Sequence, residues 1–261
     1  MIESNSIIKV TRGENVDYIQ FNKLLELGVN HAYTLRRDGI DFSNGVEAEE
    51  GSYKMLCDEL GMEYENLAKP HQNHTRTIQI IDKPYKIKDL PETDGLMTNK
   101  ENIVLATVNA DCILYLVYDK NRKVIANIHS GWKGTYKRII EKGISMMIEE
   151  FGSNPEDIIV CSCPSIRGCH FEVDEEVKND FEEKFKFLDL DFIEKGNIED
   201  GKQKYHIDTI KLNTKLLTDL GILKENIIDS GICSVCNKDE VYSYRADGEG
   251  FRRATAVITL K

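Results

Sequence analysis

Positive charge is in short supply in this sequence. Its 34 Lys and Arg stand against 45 Asp and Glu, giving a net charge of -11 and a pI near 5.1. No broad basic field draws phosphate backbones, which excludes non-specific nucleic-acid binding but not a local basic pocket for one small phosphate. Long apolar runs are also missing. No stretch approaches the ~18 residues of a membrane-spanning helix, so no membrane partner is expected. Residues 1–10 carry neither a basic segment nor an apolar run, so no signal peptide is expected. The 7 cysteines are odd in number and scattered, which with no export signal points to reduced thiols in a cytoplasmic protein. Internal repeats, low-complexity tracts and Pro/Gly-rich linkers are absent. The economical reading is one domain spanning 1–261, of α/β class, with a mixed sheet and flanking helices.

What is there organises around one stretch. Ile113 to Tyr118 and Lys123 to Ile128 are apolar, strand-type runs joined by the short polar link Asp119-Lys120-Asn121-Arg122, which predicts a hairpin. A loop centred on Lys120-Asn121 sets Cys112 directly opposite His129, with Cβ atoms about 4.5–5.5 Å apart. A thiol facing an imidazole suits a shared metal or a Cys–His nucleophile pair, and equally a buried thiol beside a hydrogen-bonded histidine.

Around this hairpin, strands are expected at Ile7 to Val10, Tyr18 to Phe21, Val29 to Leu35, Thr75 to Ile81, Ile103 to Val108, Asp157 to Cys163, Asn226 to Ile232, Val241 to Tyr244 and Ala254 to Leu260. Helical spacing marks Val46 to Leu60, Thr135 to Glu150, Asp174 to Phe187 and Ile207 to Leu220. Phe187 to Lys202 reads as a polar insertion, and Lys83 to Pro91 as a polar connector. Lys133, Lys137 and Arg138 crowd the start of the second helix, where an anion seat or a solvated basic face are both compatible. His71 and His74 are three apart and could share a metal or point to different sides. Cys161-Ser162-Cys163 and the C-x-x-C of Cys233 to Cys236 suggest zinc, yet no second C-x-x-C lies at ribbon spacing, so a structural zinc ribbon is not expected. The loop Pro164 to Val173 is dense in Cys, His and Glu.

These motifs, taken in order, resemble the laccase-domain, YfiH-like family, viewed as purine nucleoside phosphorylases and formerly labelled copper polyphenol oxidases. Gln72-Asn73-His74-Thr75 is similar to its Q-x-H-G, Ala110-Asp111-Cys112 to its A-D-C, and His129-Ser130-Gly131-Trp132-Lys133-Gly134 to its H-A/S-G-W-R/K-G. Pro164-Ser165-Ile166 with Cys169 to Val173 is similar to P-S-I-G-x-C-x-Y/F-E-V. Cys233 and Tyr242-Ser243-Tyr244-Arg245 resemble the closing C-T and F-S-Y-R elements. The resemblance spans about Asn30 to Ile258 and implies a YfiH-like, toxin-deamidase-like architecture. It implies a zinc held by His74, Cys112 and His129, selecting His74 over His71. It further implies phosphorolysis of adenosine, inosine, guanosine or methylthioadenosine, with adenosine deamination in some members. Asp111 and Glu172 are candidates for a proton relay, and Arg36, Lys133 and Arg245 for an anion seat. Asn73, Thr75, Asn109, Arg167 and Arg252 depart from the family pattern. The last two are expected to add bulk and charge near the pocket.

Rival readings follow from the same residues. With 6 histidines in all, the chain cannot build a multicopper oxidase by itself, although adventitious copper would bind a Cys–His site readily. In a metal-free hydrolase, of the kind linked to peptidoglycan-precursor editing, Cys112 is the nucleophile and His129 the base. A non-catalytic zinc-binding protein is the third.

Overall fold

A computed structural model describes every residue except Val46 and residues 86–88. Among the described residues the strands are, in chain order, β1 Ile8–Arg12, β2 Asp17–Phe21, β3 Asn30–Thr34, β4 Leu67–Ala68, β5 Ile78–Ile80, β6 Gly95–Thr98, β7 Val104–Asn109, β8 Ile113–Asp119, β9 Val124–Ser130, β10 Ile158–Ser162, β11 Glu172–Val173, β12 Ile193–Glu199, β13 Lys202–Ile207, β14 Ile227–Asp229 and β15 Ala254–Thr259. They form two six-stranded mixed sheets, ordered β1-β2-β3-β15-β7-β4 and β14-β10-β8-β9-β6-β5, and a small sheet ordered β11-β13-β12. The expected α/β class with mixed sheets and flanking helices is what the chain adopts.

The two large sheets pack face to face. Leu105, Ala256 and Ile258 of the first meet Leu114, Leu116, Tyr118 and Ile125 of the second in one buried cluster. The opposite face of the second sheet carries Ile113, Tyr115, Val117 and Ile128. Helices Ile139–Phe151 and Thr209–Asp219 cover it through Ile140, Ile144, Met147 and Leu217. Helix Ala48–Leu60 covers the outer face of the first sheet with Tyr53, Leu56 and Leu60. Strands buried on both faces need no polar alternation, which is why β8 and β9 read as unbroken apolar runs. Phe181, Phe185, Phe192, Ile207, Leu212 and Leu216 form a separate cluster under the small sheet.

Several elements differ from the sequence reading. The strand expected at Val241 to Tyr244 does not form: residues 241–243 are irregular and lead into a short helix, Tyr244–Asp247, capped by the Ser243 hydroxyl. The strand expected from Thr75 begins only at Ile78, because the Thr75 and Thr77 amides are taken up by the side chains of Asp94 and Thr75. The helix expected from Thr135 breaks into Trp132–Tyr136 and Ile139–Phe151, with Arg138 left-handed between them at φ 60°. The helix expected from Val46 runs Ala48–Leu60, and Val46 lies outside the described residues. Phe187 to Lys202, read as a polar insertion, contains β12 and the turn into β13. No helix among the described residues is long and apolar enough to cross a membrane.

One buried histidine outside the site has a measurable consequence. His31 accepts from the Phe21 amide at Nε2 (2.7 Å) and donates from Nδ1 to the Val29 carbonyl (2.9 Å), so it is held neutral. Burial lowers its pKa from 6.5 to about 4. The unfolded chain therefore binds the extra proton first as the pH falls. Stability from this group is complete above 6.5 and is lost down to about 4, a change of about 3 kcal/mol. Urea midpoints recorded across that range should slope more steeply for the wild type than for His31→Gln.

Candidate metal centre

The centre sits at one end of the seam between the two large sheets. β7 of the first sheet ends at Asn109, and the chain crosses to β8 of the second through a bend at residues 110–112. Asp111 is left-handed there, at φ 79°. Asn109 braces the bend, donating to the carbonyls of Cys112 and of Pro164 while accepting from the Tyr33 hydroxyl. Cys112 is thereby delivered at the mouth of the hairpin rather than within it. The hairpin itself forms as expected, but Leu114, not Cys112, pairs with His129. The reason is the turn. Asp119 accepts the amides of Asn121 and Arg122 on its side chain, and Lys123 is left-handed at φ 54°. These shift the loop to residues 120–123 and the register by two. Cys112 still reaches His129, by the bend.

His74 comes from the irregular segment between β4 and β5. Gln72 pins that segment to β7 in strand fashion, donating to the Val108 carbonyl and accepting the Val108 amide, each at 2.8 Å. Lys137 donates to the His74 carbonyl at 2.8 Å. The donor atoms of His74, Cys112 and His129 all lie within 4.8 Å of one another, and the two imidazole centroids are 5.0 Å apart. These are the three residues that the family resemblance implied. His71 is not among them.

Behind His129 stands Asp94, a fully buried carboxylate that sequence reasoning took for part of a turn. His129 Nδ1 donates to Asp94 Oδ1 at 2.8 Å, which fixes the tautomer and leaves Nε2 free to bind a metal. Asp94 also accepts the amides of Asn73, His74 and Thr75 and the Thr75 hydroxyl. Burial works against the charged carboxylate, yet His129 and Thr75 hold its pKa well below the usual range. Burial likewise lowers the His129 pKa, but Cys112 and Asp94 overcome it and raise it to about 9. His74 is exposed at the cavity, yet partial desolvation and the neighbouring His129 make it titrate lower than an ordinary imidazole. The two oxygens of Asp94 serve five donors between them, and Asp94→Asn replaces one of those oxygens by an amide that cannot accept. Zinc affinity, measured by competition with a chelating dye, should fall about 10- to 100-fold.

The donor set fits a metal on two observations. Thiolate and imidazole are zinc ligands, and three of them with an open side describe a catalytic rather than a closed site. Gly131, two residues after His129, leaves the room. A Cβ there would stand 2.6 Å from His74 Nδ1 and 2.9 Å from Cys112 Sγ. The open side faces a cavity of about 590 Å³. Trp132, Phe171, Tyr244 and Phe251 supply aromatic walls, and Glu172, Arg245 and Arg253 charged ones.

The remaining sequence candidates fall in different places. Asp111 borders the cavity, but its carboxylate accepts from the Ser234 and Ser243 hydroxyls and from the Arg245 amide, at 2.6–2.7 Å. It works as an anchor for two loops. Glu172 borders the cavity with its carboxylate 3.6 Å from His206. Arg245 donates to the carbonyls of His170 and Glu172. Arg36 lies apart, paired with Asp247 and stacked on Tyr242. Lys133 lies over the Trp132 ring and does not line the cavity, and Lys137 and Arg138 are engaged with His74 and Glu141. Arg167 does not crowd the cavity as expected. It turns away into a bidentate pair with Asp229, and Arg252 borders a separate hollow beside Arg36. Arg253, its neighbour, is the cation on the cavity wall that sequence reasoning missed.

The fold and the donor set give an α/β protein with a Cys–His–His cluster spaced to hold a metal ion. The chain belongs to the family described as multi-copper polyphenol oxidoreductase laccase, whose model matches residues 39–261. It is 30% identical over 256 residues to a purine nucleoside phosphorylase of Clostridium acetobutylicum, covering 95% of this chain and 99% of that one. It is 30% identical over 200 residues to an adenosine deaminase of an unknown prokaryotic organism, covering 74% of each. The crystal structure of the hypothetical protein YfiH of Bacillus licheniformis superposes with a TM-score of 0.83 at 24% identity, over 97% of this chain and 99% of that one. That likeness shows the YfiH-like fold.

Proposed function

We propose that this protein is a zinc-dependent purine nucleoside phosphorylase, with adenosine deamination as a second reaction of the same centre. The observation that carries the reading is the open Cys112–His74–His129 donor set facing an aromatic-walled cavity of nucleoside size. The names borne by its relatives agree with it. When bound, zinc supplies Lewis-acid polarisation and makes water acidic enough to ionise near neutral pH. In phosphorolysis a phosphate oxygen bonds to C1′ of the ribose as the bond to the purine breaks, yielding sugar 1-phosphate and free base. Arg245 and Arg253 give the cavity the positive charge that phosphate needs. Glu172 is the carboxylate placed to pass a proton to the departing base, or to ammonia when water replaces the amine at purine C6. Asp111 holds Arg245 in place through its amide.

A second reading draws on one feature of the metal-free chain. Cys112, His129 and Asp94 line up as thiol, imidazole and carboxylate, the order of a nucleophile, a base and the acceptor that orients it. That arrangement leaves His74 without a role, although its Nδ1 stands beside the same sulfur. Copper oxidase chemistry of the multicopper type has too few imidazoles here, since His31 is buried away from the site and only 6 histidines exist. Adventitious copper at the centre is compatible with the donor set.

The test follows adenosine and inosine with and without phosphate, using metal-stripped protein and the same protein reloaded with zinc. Base release that requires both zinc and phosphate is the expected result. Full activity in the stripped protein would replace the reading with the Cys–His hydrolase, and zinc without turnover of any nucleoside would leave a binding protein.

A further inference from the structure

The C-x-x-C at Cys233 and Cys236 finds its missing half in the fold. Two loops distant in sequence meet outside the cavity. One is the Pro164–Val173 loop, and the other is the turn that follows β14. A parallel bridge between Ser165 and Cys233 sets them side by side, and the Ser234 amide donates to the Ser165 carbonyl. This brings Cys169 and His170 against Cys233 and Cys236, with all four donor atoms within 4.8 Å of one another. Cys161 and Cys163, the other pair suggested by sequence, are buried in the core and take no part.

We propose that Cys169, His170, Cys233 and Cys236 form a second, closed zinc site that staples the wall of the cavity. Zinc–sulfur bonds of about 2.3 Å and a zinc–nitrogen bond of about 2.0–2.1 Å make the edges of a ligand tetrahedron about 3.8 Å between sulfurs and about 3.5 Å from sulfur to nitrogen. Cys169 Sγ and Cys236 Sγ are 3.9 Å apart, and His170 Nδ1 is 3.2, 3.6 and 3.5 Å from the sulfurs of Cys169, Cys233 and Cys236. The four atoms are therefore already spaced as ligands of one ion, and all four residues are present as free thiols or imidazole. The amides of Arg167, Val235 and Cys236 point at Cys233 Sγ, a set of donors that suits a thiolate and surplus to a neutral thiol. Three soft sulfurs and one imidazole select zinc over magnesium or calcium.

Four protein donors leave no position for substrate, so this site is structural. Its place says what it stabilises. His170 directly precedes Phe171 and Glu172 on the cavity wall, and its carbonyl accepts from Arg245. Cys233 is followed by Ser234, whose hydroxyl holds Asp111. An ion here fixes both loops relative to each other and, through Asp111 and Arg245, to the end of the seam where Cys112 sits. The inference does not depend on what the first centre catalyses.

The experiment is a zinc count by elemental analysis, on protein made in zinc-supplied medium, kept reduced and desalted. About two zinc per chain are expected in the wild type, and about one in each of Cys112→Ala and Cys236→Ser. Cys236 is exposed, and Cys169→Ser on the other loop should give the same loss, with circular dichroism checking that both fold. Cobalt titrated into stripped protein separates the centres. The second should give charge-transfer absorption of three thiolates, which disappears in Cys236→Ser and persists in Cys112→Ala. A wild type holding a single zinc that Cys112→Ala removes entirely would overturn the proposal. So would recovery of Cys169 and Cys236 as a disulfide with no second metal.

Discussion

Gly131→Ala should leave a folded protein with an empty catalytic centre and no measurable turnover. Gly131 has φ -69° and ψ 179°, which alanine adopts without strain, so the backbone has no reason to change. The added methyl, however, falls 2.6 Å from His74 Nδ1 and 2.9 Å from Cys112 Sγ. Neither distance is tolerable. Relief comes from swinging the exposed His74 ring or the Cys112 thiol away, and either movement removes a donor. Elemental analysis should show the metal of this centre gone, with the thermal transition close to that of Cys112→Ala. As much zinc per chain as in the wild type in a folded variant would mean that His74 and Cys112 do not hold one ion together.

Cys112→Ala has an effect of comparable size for a different reason. Structural zinc sites bind with roughly 10–16 kcal/mol shared over four ligands, or about 3 kcal/mol per ligand, which is about two orders of magnitude in affinity. A three-ligand site has little to spare, so activity should vanish at ordinary zinc concentrations. Partial recovery at high zinc would assign Cys112 the part of a ligand. Failure to recover at any zinc concentration, with metal shown to be bound, would make it a nucleophile.

How legible the centre was in the sequence depends on which part is considered. The hairpin was plain, since a four-residue polar link between two apolar runs has few other outcomes. Its register was not, because the register turns on Asp119 capping two amides and Lys123 accepting a left-handed conformation, neither of which an apolar pattern reports. Cys112 and His129 come together nonetheless, by way of a bend at Asp111 rather than a cross-strand pairing. His74 could not be chosen over His71 by spacing. The choice came from the family motif, and the structure supplies its cause in the Gln72 clamp on Val108.

Two signals were available and passed over. Asp94-Gly95 looked like a turn, but a carboxylate directly before a strand that pairs with the His129 strand is also where an orienting acceptor must come from. Asp200-Gly201 is a strong hairpin signal that sat inside a stretch set aside as polar. Both residues have positive φ, 48° and 76°, as a tight two-residue turn requires. The strands on either side lack the apolar alternation that marks a half-buried sheet, because β12 and β13 are largely solvated.

That solvated hairpin carries an evolutionary consequence. β11, which brings Glu172 and Val173 to the cavity, pairs with β13 and not with any strand that presents a metal ligand. On the proposed reading, the jaw that meets the substrate and the anvil on which chemistry is done thus belong to different sheets with different cores. Changes of length or sequence along the hairpin can recut the jaw while the anvil is inherited unaltered. On that reading, one centre can be fitted to different substrates by exchange of a cassette on the surface.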